Sequence, residues 1–176
     1  NRENFEVYIY SFGKSSDSDE IRQKLKNSVD MFRDVIDLDE KNIALLSRKD
    51  KIDIAIDLKG YTRDSRPKIF AYRAAPIQIN FLGYPGTIGA DFMDYIIADA
   101  VIIPDNKRKS YSEKIIYLPF TYQPNSHSAS SVRKNFSKNE MELPEKGFIF
   151  CCFNNSYKIT PNEFNIWMRL LKRVDG

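Results

Sequence analysis

Histidine is almost missing from this chain: its 176 residues include one, His127. A His-built zinc centre and a Ser-His-Asp or Cys-His relay both need more than that, so neither is expected. Asp53, Asp57, Asp91, Asp94 and Asp99 fall within one stretch, and Asp91 and Asp94 are spaced to share a helical face. With no histidine beside them they do not make a convincing ligand set, and no metal is expected. Cysteine is also scarce. Cys151 and Cys152 are neighbours in an apolar run that reads as a strand, where successive side chains point to opposite faces, so a bond between them is not expected. Free thiols of this kind fit a reducing, cytoplasmic setting. No secretory signal and no apolar run of bilayer-spanning length is present, so no membrane association is expected. Net charge is only +3. The basic residues are scattered, and Lys107-Arg108-Lys109 reads as a solvated loop, so no nucleic-acid partner is expected. No internal repeat is visible.

What is present is an alternation of strand-like and helix-like segments. Residues 5–11 alternate apolar and polar as a strand does. Ser16 to Asp19 offer N-cap candidates, followed at helical spacing by Ile21, Leu25, Val29 and Phe32. Residues 39–48 predict a shorter helix with Ile43 and Leu46 inward. Residues 51–58 predict a strand with Ile52, Ile54, Ile56 and Leu58 on one face. Further strands are expected over 77–82, 95–98 and 114–118, with a helix over 67–73 flanked by Arg66 and Arg73. The order favours a Rossmann-like α/β fold with a parallel sheet. Residues 123–146 are polar, serine-rich and without apolar period, hence a linker. Residues 148–153 predict a buried strand. Thr160-Pro161-Asn162-Glu163 then reads as a capping box opening a helix striped by Phe164, Trp167, Met168, Leu171 and Val174. The chain therefore divides at the linker into 1–122 and 147–176.

Two places could hold a ligand. Ligands of open α/β sheets gather at the carboxyl ends of the strands, where Tyr61 and Thr62 follow one strand and Leu82, Gly83 and Pro85 follow another. Gly83-Tyr84-Pro85-Gly86-Thr87 is a glycine-bearing turn that lets backbone N–H groups approach a ligand closely. The same residues also fit a hydrophobic strand end and a type II-like turn, with Gly86 at the position requiring positive φ. The second place is Lys158, just ahead of a helix start. A cation is the wrong charge for that end of the dipole, so an anion such as a diphosphate between them would relieve the conflict. On the residues alone, a solvated loop lysine fits equally well.

Three segments carry a more specific signal: DLKGYT (57–62), RPKIFAYRAAPIQINFLGYPGTIGADFMDYIIAD (66–99) and CCFNNSYKITP (151–161). Together they closely resemble the catalytic region of the O-linked N-acetylglucosamine transferase family, over nearly the whole chain. The resemblance implies the two-lobed GT-B architecture, with most of the N-terminal catalytic lobe in 1–122 and the opening strand-helix unit of the donor-binding lobe in 147–176. It implies an inverting enzyme that transfers GlcNAc from UDP-GlcNAc to Ser and Thr hydroxyls of proteins, without a metal or other cofactor. Lys158 would contact the diphosphate and stabilise UDP as it leaves, with Tyr157 beside it, although that tyrosine could equally pack across the entrance. Asn155 stands where animal members usually have glutamine, an amide that contacts the nucleotide. Tyr61, Thr62, Leu82, Gly83 and Pro85 would line the sugar and acceptor pocket. The family's Asp-Phe-x-x-His motif and a later Lys-x-x-His segment are expected outside these residues, as are upstream TPR helices, so the chain reads as a piece of an enzyme and is expected to be inactive alone. Two alternatives are the same fold with another donor, fucose or glucose, and a non-catalytic binding or scaffold domain.

Overall fold

A computed structural model describes residues 3–14, 18–125 and 136–174. His127 and Ser16 lie outside the described residues. The chain divides into two compact units, Asn1–Asn125 and Ser126–Gly176.

The first unit is α/β. Its elements run β1 (Tyr8–Ser11), α1 (Glu20–Ser28), β2 (Met31–Asp34), α2 (Glu40–Lys49), β3 (Ile54–Asp57), α3 (Lys68–Ala71), β4 (Ile77–Asn80), β5 (Tyr95–Ala98) and β6 (Lys114–Tyr117). β1 and β2 pair in parallel, and β3-β4-β5-β6 form a second, wholly parallel sheet in chain order. Parallel pairing brings the carboxyl ends of β3 to β6 to one edge, and the segments that follow them start there.

Local chemistry sets the helix boundaries. Asp19 caps α1 by accepting the N–H groups of Ile21 and Arg22, and Asp39 caps α2 through Asn42 N–H. α1 differs from its sequence expectation. Ile21 and Leu25 are exposed, the helix stops at Ser28, and Phe32 belongs to β2. The buried residue of α1 is Arg22, whose guanidinium donates to Ser11 Oγ, pairs with Asp34 and lies over the Phe32 ring. Arg22 ties the helix to both strands of the small sheet, and this replaces the apolar stripe.

Strand period decides the core. In β3, Ala55 and Asp57 turn inward, while Ile54, Ile56 and Leu58 share the more exposed face. One core joins Val35, Ile43, Ala44, Ile69, Phe70, Ala74, Ile88 and Met93; a second joins Ile96, Ala98 and Ile103. Side chains as deeply buried as Ile43, Ile96 and Ile103 contribute roughly 1.5–3 kcal/mol each. Buried polar side chains are tied as well: Gln78 donates to Phe70 and Phe92 carbonyls and accepts Ala74 N–H.

The second unit contains a 3₁₀ turn (Ser156–Lys158) and helix α4 (Pro161–Leu171). The buried strand expected over 148–153 does not form. These residues have no ladder partner, and Phe148, Phe150, Phe153 and both cysteines are exposed. An apolar run becomes a strand only beside another strand that takes up its N–H and C=O groups, and none is present for it among the described residues. For the same reason the stripe of α4 is largely uncovered: Phe164, Leu171 and Val174 are exposed and only Trp167 and Met168 are half-buried. Pro161 does open α4, but the capping box is incomplete, because Thr160 donates its hydroxyl to the Glu163 carboxylate and makes no bond to a backbone N–H.

Candidate functional site

The carboxyl edge of the large sheet is built by side chains that hold backbone. Asp57, buried at the end of β3, accepts the N–H groups of Lys59 and Gly60 and so shapes the turn leading to Tyr61. Thr62, half-buried, closes that turn by donating its N–H to Lys59 O. Asp99 does the same beyond β5. It accepts N–H groups from Ile102, Tyr122 and Val101, and these bonds hold its carboxyl below the usual aspartate range.

Between β4 and β5 runs the glycine-bearing segment, and its carbonyls are tied one after another. Asn80 Nδ2 donates to Tyr84 O at 3.0 Å and to Gly86 O at 3.1 Å. The Tyr111 hydroxyl donates to Pro85 O at 2.9 Å, and the Tyr61 hydroxyl to Ile88 O at 2.8 Å. Burial and the neighbouring Glu113 carboxylate push the Tyr111 phenol above its ordinary pKa, so it keeps its proton for that bond. The rings of Tyr61 and Tyr84 meet edge to face with centroids 5.6 Å apart. Among the described residues, the N–H groups of Leu82, Tyr84, Gly86 and Thr87 have no protein acceptor. The loop thus spends its carbonyls on the fold and keeps a row of N–H donors available.

Both glycines of the turn are required for space, and the type II expectation fails. Neither has positive φ; the left-handed residue is Leu82, at φ 73°. A Cβ on Gly83 would stand 2.3 Å from the Leu58 carbonyl oxygen, so Gly83 lets β4's exit pass against the end of β3. A Cβ on Gly86 would meet the outer atoms of the Tyr84 ring at 2.7 Å.

The structure therefore brings Tyr61, Leu82, Gly83 and Pro85 to one edge, with Thr62 in the adjoining turn. Asn155, Tyr157 and Lys158 are consecutive or nearly so in the second unit, all exposed, and Lys158 N–H donates to Asn155 O. Lys158 precedes α4, whose Asn162 and Glu163 N–H groups have no protein acceptor among the described residues. Arg66 and Arg73 are structural: Arg66 pairs with Glu40 and donates to Leu38 O, and Arg73 pairs with Asp94 and donates to Phe92 and Pro76 carbonyls. Asp94 is thereby taken out of any metal set, and Asp91 and Asp94 do not lie on a helix. An open cleft lined by Pro76, Ile77, Asp94, Tyr95, Ser112 and Lys114 lies at the amino ends of the strands and includes none of these predicted site residues. Sequence reasoning named Asp57 and Asp99 only as carboxylates of a rejected metal set, and did not single out Asn80, Tyr111, Glu113 or Tyr122. For Asp57 the turn-holding role had a readable signal, an aspartate at a strand end with glycine three residues later.

The model of glycosyl transferase family 41 matches residues 1–132 and 123–176. A probable UDP-N-acetylglucosamine–peptide N-acetylglucosaminyltransferase of Arabidopsis thaliana, SEC, is 38% identical over 99% of this chain. The SPINDLY protein of Solanum lycopersicum, with the same probable activity in its name, is 32% identical over 97% of the chain. This chain spans 18% of the length of each of these two relatives. Among solved structures, a mutant O-GlcNAc transferase of Thermobaculum terrenum superposes with a TM-score of 0.66 at 32% identity, over 72% of this chain and 25% of that one. Matched along its whole length, with an α/β fold of parallel sheets shared with an O-GlcNAc transferase, the chain belongs to glycosyl transferase family 41.

Proposed function

We propose that this chain is part of a protein O-glycosyltransferase that moves GlcNAc from UDP-GlcNAc to Ser and Thr hydroxyls, with inversion at the anomeric carbon. The observation that carries the reading is the 82–88 loop. Its carbonyls are held by Asn80, Tyr111 and Tyr61, and its first N–H donors, Leu82 and Tyr84, follow β4 at the sheet edge where ligands of such folds collect, while Thr87 and Ile88 lie against Ser112 and Glu113 ahead of β6. A sugar ring or an acceptor peptide offers the hydroxyl and carbonyl oxygens those donors need, while Tyr61, Thr62, Leu82, Gly83 and Pro85 form the surrounding wall.

Lys158 has the complementary role. Its ammonium, together with the unpaired N–H groups at the start of α4, suits a diphosphate whose charge grows as the glycosidic bond breaks. Asn155 and Tyr157, on the same turn, would orient the nucleotide. The Glu163 carboxylate, in the first turn of α4, is kept occupied by Thr160. The relatives' names support UDP-GlcNAc as donor and peptide as acceptor. No helix among the described residues is long and apolar enough to cross a membrane. A reducing, cytoplasmic setting suits the two exposed free thiols.

The test uses the full-length protein that carries this sequence. It is incubated with a Ser/Thr peptide and, separately, UDP-GlcNAc, UDP-glucose or GDP-fucose, and the peptide is read by mass spectrometry. Addition of N-acetylhexosamine from UDP-GlcNAc is the expected result. Transfer from another donor would reassign the sugar, and no transfer from any donor would support the scaffold alternative.

A further inference from the structure

The loop just described is tied at its far end by a residue that the reaction as proposed does not use. Glu113 is 5% exposed, immediately ahead of β6, and its two carboxylate oxygens divide between neighbouring loop residues. Oε1 accepts the backbone N–H of Ile88 at 2.6 Å, and Oε2 accepts the Thr87 hydroxyl at 2.6 Å. Thr87 Oγ1 in turn accepts the N–H of Gly89, at 3.0 Å. Ile88 is itself in the main core. Charged acceptors make stronger bonds than neutral ones, and the two short bonds fix Thr87 and Ile88; a third, longer one comes from the Ser112 hydroxyl at 3.3 Å. The loop is therefore held from two sides: by Asn80, Tyr111 and Tyr61 through its carbonyls, and by Glu113 through Thr87 and Ile88. The second clamp takes the Ile88 N–H, and Ser112 adds bonds to Thr87 Oγ1 through its N–H and its hydroxyl.

We infer that Glu113 is a positioning residue for transfer, holding the Leu82–Gly86 stretch in register with the sugar and acceptor by clamping its far end at Thr87 and Ile88. This rests on the reading of the loop as the sugar and acceptor wall. Nothing in Glu113's place next to a surface turn calls for an acid there; a buried, unneeded carboxylate would cost stability, so its two short bonds to this loop are the reason for its burial. A small displacement of donors aimed at a reacting centre can cost as much as about 100-fold in rate.

The test has two readouts on Glu113→Ala, Glu113→Gln and Thr87→Val. In the full-length protein, amide hydrogen exchange of residues 82–90 should quicken at least about tenfold in Glu113→Ala, with β3 and β5 unchanged. In the full-length protein, kcat per folded molecule should fall roughly 10- to 100-fold in Glu113→Ala, with KM moving much less. Glu113→Gln should recover part of that loss, because its amide oxygen can still accept Ile88 N–H and its NH₂ can donate to Thr87 Oγ1 in place of the longer bond from Ser112 N–H. Thr87→Val, which keeps the Ile88 bond, should lose several-fold and serves if Glu113→Ala does not fold. Unchanged loop exchange overturns the inference. So does a lowered melting temperature with normal kcat in all three variants, which would make the clamp merely structural. A wild-type protein that transfers no sugar, with the loop exchange changing as expected, would instead sink the functional reading beneath it.

Discussion

Replacing Gly83 by alanine adds one carbon, and the structure says where it must go. The new Cβ would stand 2.3 Å from Leu58 O and 3.3 Å from both Leu58 C and Lys59 Cα. Ordinary contact between such atoms begins near 3.4 Å, so the pair must separate by about 1 Å. Both obstacles are backbone. Leu58 lies between β3 and the turn held by the Asp57 carboxylate, so this segment cannot swing aside as a side chain would. Forcing a methyl into packed structure costs typically about 1–3 kcal/mol, and the immobile neighbours put this case at the upper end, roughly 2–3 kcal/mol. At about 4 °C per kcal/mol for a unit of this size, the melting temperature should fall roughly 8–12 °C. Gly86→Ala is the internal control. Its Cβ meets the outer ring atoms of Tyr84, which can rotate away for the loss of the edge-to-face contact with Tyr61, about 1 kcal/mol. Thermal and urea unfolding of the 176-residue chain would measure both. Gly83→Ala within about 0.5 kcal/mol of wild type, or Gly86→Ala the costlier of the two, would refute the close-approach argument.

Acid stability offers another check. Hydrogen bonds from Arg33 and then Tyr10 hold the Asp50 carboxyl below its usual range, and backbone N–H groups do the same for Asp99. A depressed folded pKa means stabilisation that is full above the unfolded value of about 4 and lost as pH falls below it. Asp50→Asn and Asp99→Asn should each flatten the decline of the urea midpoint between about pH 4 and pH 2; an unchanged acid limb would show that the carboxylates are not coupled to folding. The 176-residue chain alone should transfer no sugar, since it spans under a fifth of its curated relatives' length; turnover by it would overturn the two-lobe reading. Transfer by the full-length protein should persist in excess EDTA, with Lys158 and the α4 amides offsetting the leaving charge, and strict dependence on a divalent ion would contradict that division of labour.

Strand placement was legible because period and turn residues are local signals: 77–80, 95–98 and 114–117 all lie within their expected runs. The importance of the Gly83–Gly86 turn was legible too, but not its cause. A sequence shows that two glycines flank Tyr84-Pro85, whereas the contact between Gly83 and the end of β3 depends on the register of two strands. β2 was hidden because Phe32 fell in phase with Ile21 and Leu25, and only pairing with β1 decides between helix and strand for so short a piece. The failure at 148–153 is of the opposite kind. Composition announced a buried strand, and burial needs neighbours that the second unit does not supply among its described residues. Glu113 was unreadable in principle: an acid between Ser112 and Lys114 resembles any surface position until the loop from β4 is laid against it.

Steady-state transfer from UDP-GlcNAc by the full-length Lys158→Ala variant, beside its affinity for acceptor peptide, reads whether Lys158 opposes charge on the departing diphosphate. A kcat lower by on the order of 10²–10³ is expected, with peptide affinity nearly unchanged, because the lost contact strengthens only as the bond breaks. A kcat within a few-fold of wild type would remove Lys158 from the mechanism.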